Sequence, residues 1–394
     1  MADFDTVVVG NGLFGSAAAR HLTLMGERVA VIGPDEPMTP AQGHDVFASH
    51  YDEGRLTRLI DRNPVWAKLT HRAAAGYPTL EQRSGIKFHH PVGALIVDRR
   101  SEGGAIDDPL RRAQEDGVTC DVYEAGDSSW QRLFPYLEFP SSHLVIHEPA
   151  PAGYINPRKL IAAQNTVALA HGAVVIRETV VAVGSAGGDL SITTASGTTA
   201  ACDKLLVAAG AFTNFNNLLP VALPLRLNTE MVVLAQVGSD DLARLENMPT
   251  IKYMNDDGAL DGIYVVPPVR YPDGTDCLKL GANTPSDQYL DTLAAVQHWF
   301  DEGDSESCLP SFEGALKGIW PTINFVSVRS KRCILCQTST TDPIIDQVDD
   351  AIFVATGGNG GGAKGSDAWG ELAAGLVHDG RWPEDIPRFP VPSQ

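Results

Sequence analysis

Two kinds of hydrophobic pattern occur along this chain of 394 residues. The runs at 6–9 (TVVV), 29–32 (VAVI), 205–208 (LLVA) and 352–355 (IFVA) are apolar almost throughout, which is typical of strands buried on both faces of a parallel sheet. Other stretches, such as GALIVD at 93–98 and IYVVPPVRYP at 263–272, read as strands of a second kind, with alternating patterns. The chain is therefore predicted to contain a parallel sheet and a separate β-rich region.

The first apolar run opens the most specific motif of the sequence. Gly10, Gly12 and Gly15 follow it in G-x-G-x-x-G spacing, before an alanine-rich helix and the second apolar run. This is a βαβ unit of about 30 residues, in which the glycines allow a tight turn, a close approach to a pyrophosphate and close helix packing. The N-terminus of the helix offers free N–H groups to the phosphates. The unit predicts a dinucleotide site.

The end of the second strand departs from the usual fingerprint. Gly33 stands where an acidic residue normally binds the ribose, and Asp35 and Glu36 are the nearest acids that could replace it. The adenosine end of the predicted site is therefore the part that the motif does not define.

The distribution of the remaining Rossmann-like pieces favours FAD over a nicotinamide cofactor. These pieces are separated by β-rich insertions, and the last one leads into GGNGGGAK at 357–364 and a helix. We expect the amides of this turn and the positive end of the helix to face the flavin. The predicted fold class is α/β (α+β overall), with a Rossmann-like FAD-binding domain and an inserted antiparallel-sheet substrate domain. The FAD domain is placed at 1–90, 150–218 and 330–390, and the substrate domain at 91–149 and 219–329.

Composition narrows the choice of partners. The net charge is −19, from 30 Lys and Arg against 49 Asp and Glu, which disfavours nucleic acid and anionic membranes. We find no apolar run of the roughly 20 residues that a membrane helix needs, and the N-terminal segment does not resemble a signal peptide. Six cysteines spread over this length are not a secreted disulfide framework. The expectation is a cytoplasmic protein, a monomer or small homo-oligomer, that acts on a small molecule.

Cys333 and Cys336 are separated by two residues in KRCILCQTSTTDPIID, at 331–346. On a regular strand, residues three apart point to opposite faces, so this pair cannot readily chelate a metal or form a disulfide. No second Cys pair or His pair at ligand spacing accompanies it, so no metal site is predicted. A covalent cofactor link, a buried thiol and a redox pair remain as readings of Cys336.

The chain resembles the FAD-dependent amine oxidases of the D-amino acid oxidase superfamily, and within it the monomeric sarcosine oxidase group. Besides the N-terminal fingerprint, the resemblance rests on SHYDEGRLTRLID at 49–61, DCLKLGAN at 276–283, and the segment that joins CQTSTTDPIID to VATGGNGGGAKGS between 336 and 366. It extends over essentially the whole chain.

The resemblance implies roles for individual residues. Lys279 falls on the lysine that activates oxygen above the flavin, and Arg55 lies near the flavin. Arg58 and Lys364 would bind the substrate carboxylate, and Cys336 would form a thioether to the 8α carbon of the flavin. The other implied contacts of FAD are Gly10, Gly12, Gly15, Ser49, Val181, Gly357, Gly358, Asn359, Gly362 and Lys364.

Three positions depart from the family pattern. Tyr51, in the expected substrate pocket, and Asn283 replace histidines, and Thr338 stands where a tyrosine is expected. The resemblance therefore implies retained flavin chemistry with an altered pocket, and a substrate other than sarcosine.

The expected function is an oxidase of a secondary amine or amino acid that passes a hydride to FAD and reduces O2 to hydrogen peroxide. The alternatives are an amine dehydrogenase with another electron acceptor, or an oxidase of sugar-derived or cyclic amines with a non-covalent flavin. A nicotinamide-dependent reductase and an inactive flavin-binding module explain fewer of the motifs.

Overall fold

The structure is a computed structural model that describes residues 2–37, 46–100, 106–186, 189–256 and 258–392. Its strands are β1 (Phe4–Val9), β2 (Val29–Ile32), β3 (Arg55–Thr57), β4 (His89–His90), β5 (Ala94–Asp98), β6 (Asp121–Tyr123), β7 (Leu144–Glu148), β8 (Gly153–Ile155), β9 (Val174–Ile176), β10 (Val180–Ala186), β11 (Asp189–Thr194), β12 (Thr199–Val207), β13 (Leu225–Val237), β14 (Thr250–Asp256), β15 (Asp261–Arg270), β16 (Asp276–Asn283), β17 (Phe325–Thr338), β18 (Ile344–Asp349) and β19 (Ile352–Thr356). Its helices are α1 (Leu13–Leu24), α2 (Pro64–Ser84), α3 (Asp107–Glu115), α4 (Pro157–Ala170), α5 (Ser239–Leu242), α6 (Leu293–Glu302), α7 (Leu309–Ile319) and α8 (Ser366–Asp379).

The first sheet contains the predicted Rossmann-like core. Its strands follow the order β10-β11-β12-β1-β2-β9, and β19 joins β12 while β18 joins β19. The pairs β1–β2, β1–β12, β2–β9 and β12–β19 are parallel. Val8 packs into a core with residues of α1, α2, α4 and α8, whereas Val7 and Val9 pack on the other face. Burial on both faces explains why these strands are apolar throughout.

The glycine fingerprint is required by backbone contacts. Gly10 has φ +109, and a Cβ atom there would lie 2.3 Å from the carbonyl oxygen of Ala208. A Cβ atom on Gly15 would lie 1.8 Å from the carbonyl oxygen of Gly10. The turn is thus closed by backbone contacts that leave no room for a side chain, which confirms the predicted βαβ unit.

The second sheet is built mainly from the insertions. Its order is β17-β13-β16-β15-β14-β5-β7-β6, and its pairs are antiparallel except for the parallel pair β14–β5. β17 pairs with β13 up to Thr338, so the domain boundary expected near residue 330 falls inside a strand of this sheet. By strand pairing, the segment with Cys333 and Cys336 belongs to the second sheet. A small third sheet, β3-β8-β4, carries Arg55.

Helices α1 and α8 approach each other closely at Gly370. A Cβ atom on this residue would lie 2.4 Å from Ala17 Cβ and 2.7 Å from the Ala18 nitrogen. Both helices pack against the parallel sheet, so neither can move away without disturbing the core that supports the dinucleotide turn.

We expect Gly370→Ala to lower the free energy of unfolding by about 1–3 kcal/mol, because the added methyl group overpacks this contact. Gly314→Ala is the matched control, since Gly314 is also helical and a Cβ atom there meets nothing within 4 Å. That control should be neutral or stabilising by up to about 1 kcal/mol. Urea unfolding measures both, and an equal effect of the two substitutions would contradict the predicted overpacking.

Candidate active site

A cavity of about 970 Å³ lies where the two large sheets meet. From the first sheet it is lined by the β1–α1 turn and by the loop between β19 and α8. From the second sheet it is lined by residues of β13, β14, β15 and β17. Its volume is at the upper end of the range for small-molecule and cofactor sites.

The nucleotide-binding turn opens into this cavity. Gly10, Asn11 and Gly12 line it at the N-terminus of α1, and the buried Oδ1 atom of Asn11 has no hydrogen-bond partner. A helix N-terminus with room for an anion suits the pyrophosphate of FAD. The Asn11 oxygen can only accept a hydrogen bond, so it would pair with a donor such as a hydroxyl group of the cofactor. Gly15 does not line the cavity; its contact with Gly10 is a packing contact.

The structure explains the glycine at the end of β2. A Cβ atom on Gly33 would lie 2.6 Å from the backbone nitrogen of Asn11, so no acidic side chain fits there. Asp35 is paired with Arg177, and Glu36 with Arg158, and neither acid lines the cavity. The acid that does line it at this end is Glu178, between β9 and β10, which the fingerprint did not predict.

The glycine-rich loop after β19 lines the cavity from 357 to 364. Gly357 and Asn359 have positive φ values of +83 and +46. The Asn359 side chain accepts a hydrogen bond from the Thr338 N–H (2.8 Å) and donates one to the Gly357 carbonyl (2.7 Å). Helix α8 begins at Ser366, two residues after the last lining residue of the loop, Lys364, so the cavity wall itself is formed by loop atoms.

Both cysteines of β17 line the cavity. Cys336 lies against the loop of Gly210, with Sγ 3.6 Å from the Gly210 carbonyl oxygen and 3.8 Å from the Thr356 hydroxyl. Burial raises the pKa of its thiol to about 11, so the group is a thiol and not a thiolate at neutral pH. Cys333 and Cys336 form no disulfide with each other, and both are free.

Arg58 and Lys364 meet at one carboxylate. Arg58 lies 3.0 Å from Asp61, and Lys364 forms an ion pair with the same Asp61 oxygen. All three line the cavity. The backbone between Arg58 and Asp61 is held in place by the buried Glu148. Its carboxylate accepts hydrogen bonds from the N–H groups of Leu59 (2.7 Å) and Ile60 (3.1 Å).

Arg58, Lys364 and Asp61 together carry one net positive charge, and the buried Glu148 carboxyl group also interacts with both cations. Although burial raises the pKa of Asp61, the charges of Lys364 and Arg58 bring it down to about 2. Burial lowers the pKa of Lys364 to about 8, with a further contribution from Arg58. Two cations around one carboxylate are suited to a single anionic group of a ligand.

Lys279 is buried beneath the cavity wall. It is fully buried, and its Nζ atom donates to Asp52 Oδ2 at 2.7 Å and to the Gly54 carbonyl. Asp52 also pairs with Arg55 and accepts the Tyr271 hydroxyl at 2.9 Å. Arg55 lines the cavity, but Lys279 is not among the lining residues. Burial and then the nearby Arg55 charge lower the pKa of Lys279 well below its usual range.

The segment before Arg55 forms a further part of the wall. Ser49, His50 and Tyr51 line the cavity, and the His50 and Tyr51 rings meet edge to face at 4.7 Å. Burial lowers the pKa of His50 to about 3, so its imidazole is neutral. Of the two other departures from the family pattern, Thr338 lines the cavity, whereas Asn283 is exposed and does not.

Besides Gly15, Val181 is the expected FAD contact that does not line the cavity. It is 43% exposed, and the neighbouring Val180, which is buried, lines the cavity in its place. Neighbouring residues on a strand point to opposite faces. An assignment that is wrong by one position therefore names Val181, which faces away from the cavity, in place of Val180.

The sequence reasoning missed Glu230, Lys252 and Tyr264, which come from three strands of the second sheet and line the cavity. The signal in the sequence was a single charged residue in each of two largely apolar strands, NTEMVVLAQV and TIKYM. Within the described ranges, no group of three His, Cys, Asp or Glu residues is placed to hold a metal ion, and no helix is long and apolar enough to cross a membrane.

Comparison with known proteins gives this site a family. The family model for FAD dependent oxidoreductases matches residues 5–376. Monomeric sarcosine oxidase of Bacillus sp. (strain B-0618) is 28% identical, with 98% of this chain and 95% of the relative covered. N-methyl-L-tryptophan oxidase of Yersinia pestis (strain Pestoides F) is 24% identical, with 98% of each chain covered.

Solved structures show the same fold. NikD, described as an unusual amino acid oxidase, has a TM-score of 0.76 at 21% identity, with 98% of this chain and 97% of that chain covered. Glycine oxidase from Geobacillus kaustophilus has a TM-score of 0.73 at 20% identity, with both chains fully covered. The glycine turn, the cavity and these matches define a flavin-dependent oxidoreductase. The chain belongs to the FAD dependent oxidoreductase family.

We expect Asp61→Asn to lower the free energy of unfolding by about 3–5 kcal/mol at neutral pH, because it removes the carboxylate that the buried Lys364 and the half-buried Arg58 both contact. The pKa of Asp61 is about 2 in the folded protein, below its ordinary value of about 3.9. The Asp61 carboxylate therefore stabilises the fold fully above about pH 4, and this stabilisation is lost as the pH falls through about 2. The difference between the two proteins should therefore shrink below about pH 4.

Urea unfolding at several pH values measures this effect. Asp385→Asn is the control, because Asp385 forms an exposed pair with Lys68 and should contribute little. A loss of stability in Asp61→Asn that is independent of pH would contradict the charge argument.

Proposed function

We propose that this protein is an FAD-dependent oxidase of a secondary amino acid, an α-amino acid with an N-alkyl group. The observation that carries the proposal is the Arg58–Asp61–Lys364 cluster, a single net positive charge on the wall of the cavity that the dinucleotide turn also lines. The named activities of the sarcosine and N-methyl-L-tryptophan oxidases support the same class of substrate.

The chain's own residues would bind and orient the substrate. Arg58 and Lys364 would hold its carboxylate, and Tyr51 would form part of the adjoining wall. When bound, FAD accepts the hydride from the carbon beside the amine nitrogen. A positive field from the two cations favours the neutral form of a bound amine, which is the form that can give up the hydride.

FAD would lie along the glycine turn and the loop at 357–364. Gly10 and Gly12 would approach the pyrophosphate, and Gly357, Gly358 and Gly362 the flavin. Ser49, Asn359 and Lys364 complete the lining expected to contact the cofactor. Cys336 would hold it through a thioether bond, for which its place on the cavity wall is the support.

Lys279 is proposed to promote the reaction with O2, and Arg55, which lines the cavity, to add its own positive charge near the flavin. A buried cation next to a site of developing negative charge stabilises it without reorganisation of water. One observation favours a second candidate, an amine dehydrogenase: Asp52 pairs with both cations, which weakens the field that would favour O2. A cytoplasmic location and a monomeric or small oligomeric state remain expectations.

We expect yellow colour to remain in the pellet when the purified holoprotein is precipitated with acid. Cys336→Ala should release the colour into solution, because the thioether would be absent. Cys333→Ala, three residues away on the same strand, is the matched control and should keep the colour in the pellet. Release from the unchanged protein, or from both variants, would argue against attachment through Cys336.

We expect N-methyl amino acids to bleach the flavin absorbance without air, and one hydrogen peroxide to appear per amine oxidised in air. Lys279→Met should slow the reaction with O2 by about 10²–10³-fold, with little effect on anaerobic bleaching. Lys317→Met is the control, because Lys317 is exposed on α7.

Stopped-flow absorbance separates the two half-reactions of this test. Bleaching by amines without recovery in air would favour the dehydrogenase. No bleaching by any amine or amino acid in the screen would overturn the proposed function.

A further inference from the structure

One face of the second sheet presents a row of polar groups to the cavity. Lys252 on β14 lies opposite Tyr264 on β15, and Tyr264 lies opposite Gly281 on β16. Gly281 also pairs with Val232 on β13, which shares a face with Glu230 two residues before it. The row therefore crosses four neighbouring strands and places a cation, a phenol and a carboxyl group on one side.

Gly281 allows the phenol to reach the carboxyl group. A Cβ atom on Gly281 would lie 2.3 Å from Cζ and 2.4 Å from the hydroxyl oxygen of Tyr264, so the tyrosine ring extends across this position. The Tyr264 hydroxyl comes within 3.5 Å of Glu230 Oε1. The glycine is thus needed for the contact between two residues that line the cavity.

Glu230 is buried but incompletely bonded. The residue is 3% exposed and lines the cavity, and its Oε2 atom has no hydrogen-bond partner. A buried carboxyl oxygen without a partner is costly unless a ligand supplies one.

The other acids of the described cavity wall already have partners. Asp61 binds Arg58 and Lys364, and Glu178 accepts the Ser196 hydroxyl at 2.6 Å. Among the described lining residues, Glu230 is the acid with a buried oxygen that has no partner.

The surroundings of Glu230 tune its affinity for a proton. Burial raises its pKa to about 8, with a further rise from the Asp287 charge, against the lowering effect of Lys252, the Tyr264 hydrogen bond and Arg55. The titratable and charged groups that face it from the surrounding elements are Arg55, Lys252, Tyr264, Lys279, Asp287 and Cys333.

We propose that Glu230 binds the protonated amine of the substrate through its free oxygen and takes one proton from it. This inference rests on the proposed function and adds a catalytic residue to it. The N–H bond of the ammonium breaks, its electron pair stays on nitrogen, and the proton moves to the carboxylate to give a neutral amine and a neutral acid. No electron is transferred in this step.

The position of Glu230 suits this role. The substrate carboxylate would be held by Arg58 and Lys364, which lie on other elements than the second sheet, and the amine would be held by the sheet. A carboxyl group with a pKa of about 8 is a better match to an amine of about 10 than an ordinary glutamate of about 4.3.

The test compares Glu230→Gln with the unchanged holoenzyme by the rate of anaerobic flavin bleaching at different pH values. The unchanged enzyme should lose kcat/KM below about pH 8, because Glu230 is then already protonated. In Glu230→Gln, kcat/KM should begin to fall at a higher pH, namely at the pKa of the free amine. The variant should therefore be about 10²-fold slower or more at pH 7.5 and comparable to the unchanged enzyme near pH 10.

Two controls separate proton transfer from structural damage. Glu246→Gln changes an exposed acid of the same region and should keep the unchanged pH profile. Methoxyacetate carries the carboxylate without an amine, so its binding at pH 6, followed by the visible spectrum of the flavin, should be equal in Glu230→Gln and the unchanged enzyme. A weaker binding of methoxyacetate to the variant would mean that Glu230 only shapes the pocket, which overturns the inference.

The outcomes for the two proposals are distinguishable. If amines bleach the flavin of both proteins with the same pH profile, the role of Glu230 is wrong and the proposed function stands. If no amine bleaches the unchanged enzyme, the proposed function fails and the role of Glu230 fails with it.

Discussion

Pairing of buried charge at the junction of the two sheets is the constraint on which the site depends. Lys279 and Lys364 are almost completely removed from water, and an unpaired ammonium group in such a place costs several kcal/mol. Asp52 and Asp61 compensate them, and each also binds an arginine, Arg55 or Arg58. The cavity can therefore present cationic groups to a ligand without destabilising the fold that holds them.

The same pairing sets what each cation can do. Arg58 and Lys364 share one carboxylate at the cavity surface, so a positive charge is left for a ligand. Lys279 lies deeper, where its Nζ atom pairs with Asp52 and lies 5.8 Å from the centre of the Tyr264 ring. Of the two cations that pair with Asp52, Arg55 lines the cavity and Lys279 does not. The buried cations thus form two separate charge clusters, one around Asp61 and one around Asp52.

Glycines at three positions allow close contacts that shape the walls of the site. Gly10 and Gly33 allow the dinucleotide turn to fold onto neighbouring backbone, and Gly281 lets Tyr264 extend toward Glu230. At the other side, Asn359 ties the glycine-rich loop to the end of β17 at Thr338. Strand β17 is therefore connected with both halves of the molecule, which places Cys336 on the cavity wall.

Much of the fold was determined by the sequence itself, because its signals are local. The apolar runs predicted the parallel strands, and the spacing of Gly10, Gly12 and Gly15 predicted the turn between β1 and α1. Family motifs further placed Arg55, Arg58, Cys336 and Lys364 at one cavity. Only the tertiary structure decided which charges pair, which of Val180 and Val181 faces inward, and that Glu230, Lys252 and Tyr264 form one row. Those features depend on strand register and on contacts between residues that are far apart in the chain, such as Asp61 and Lys364, which are 303 positions apart. No local pattern of the chain encodes them.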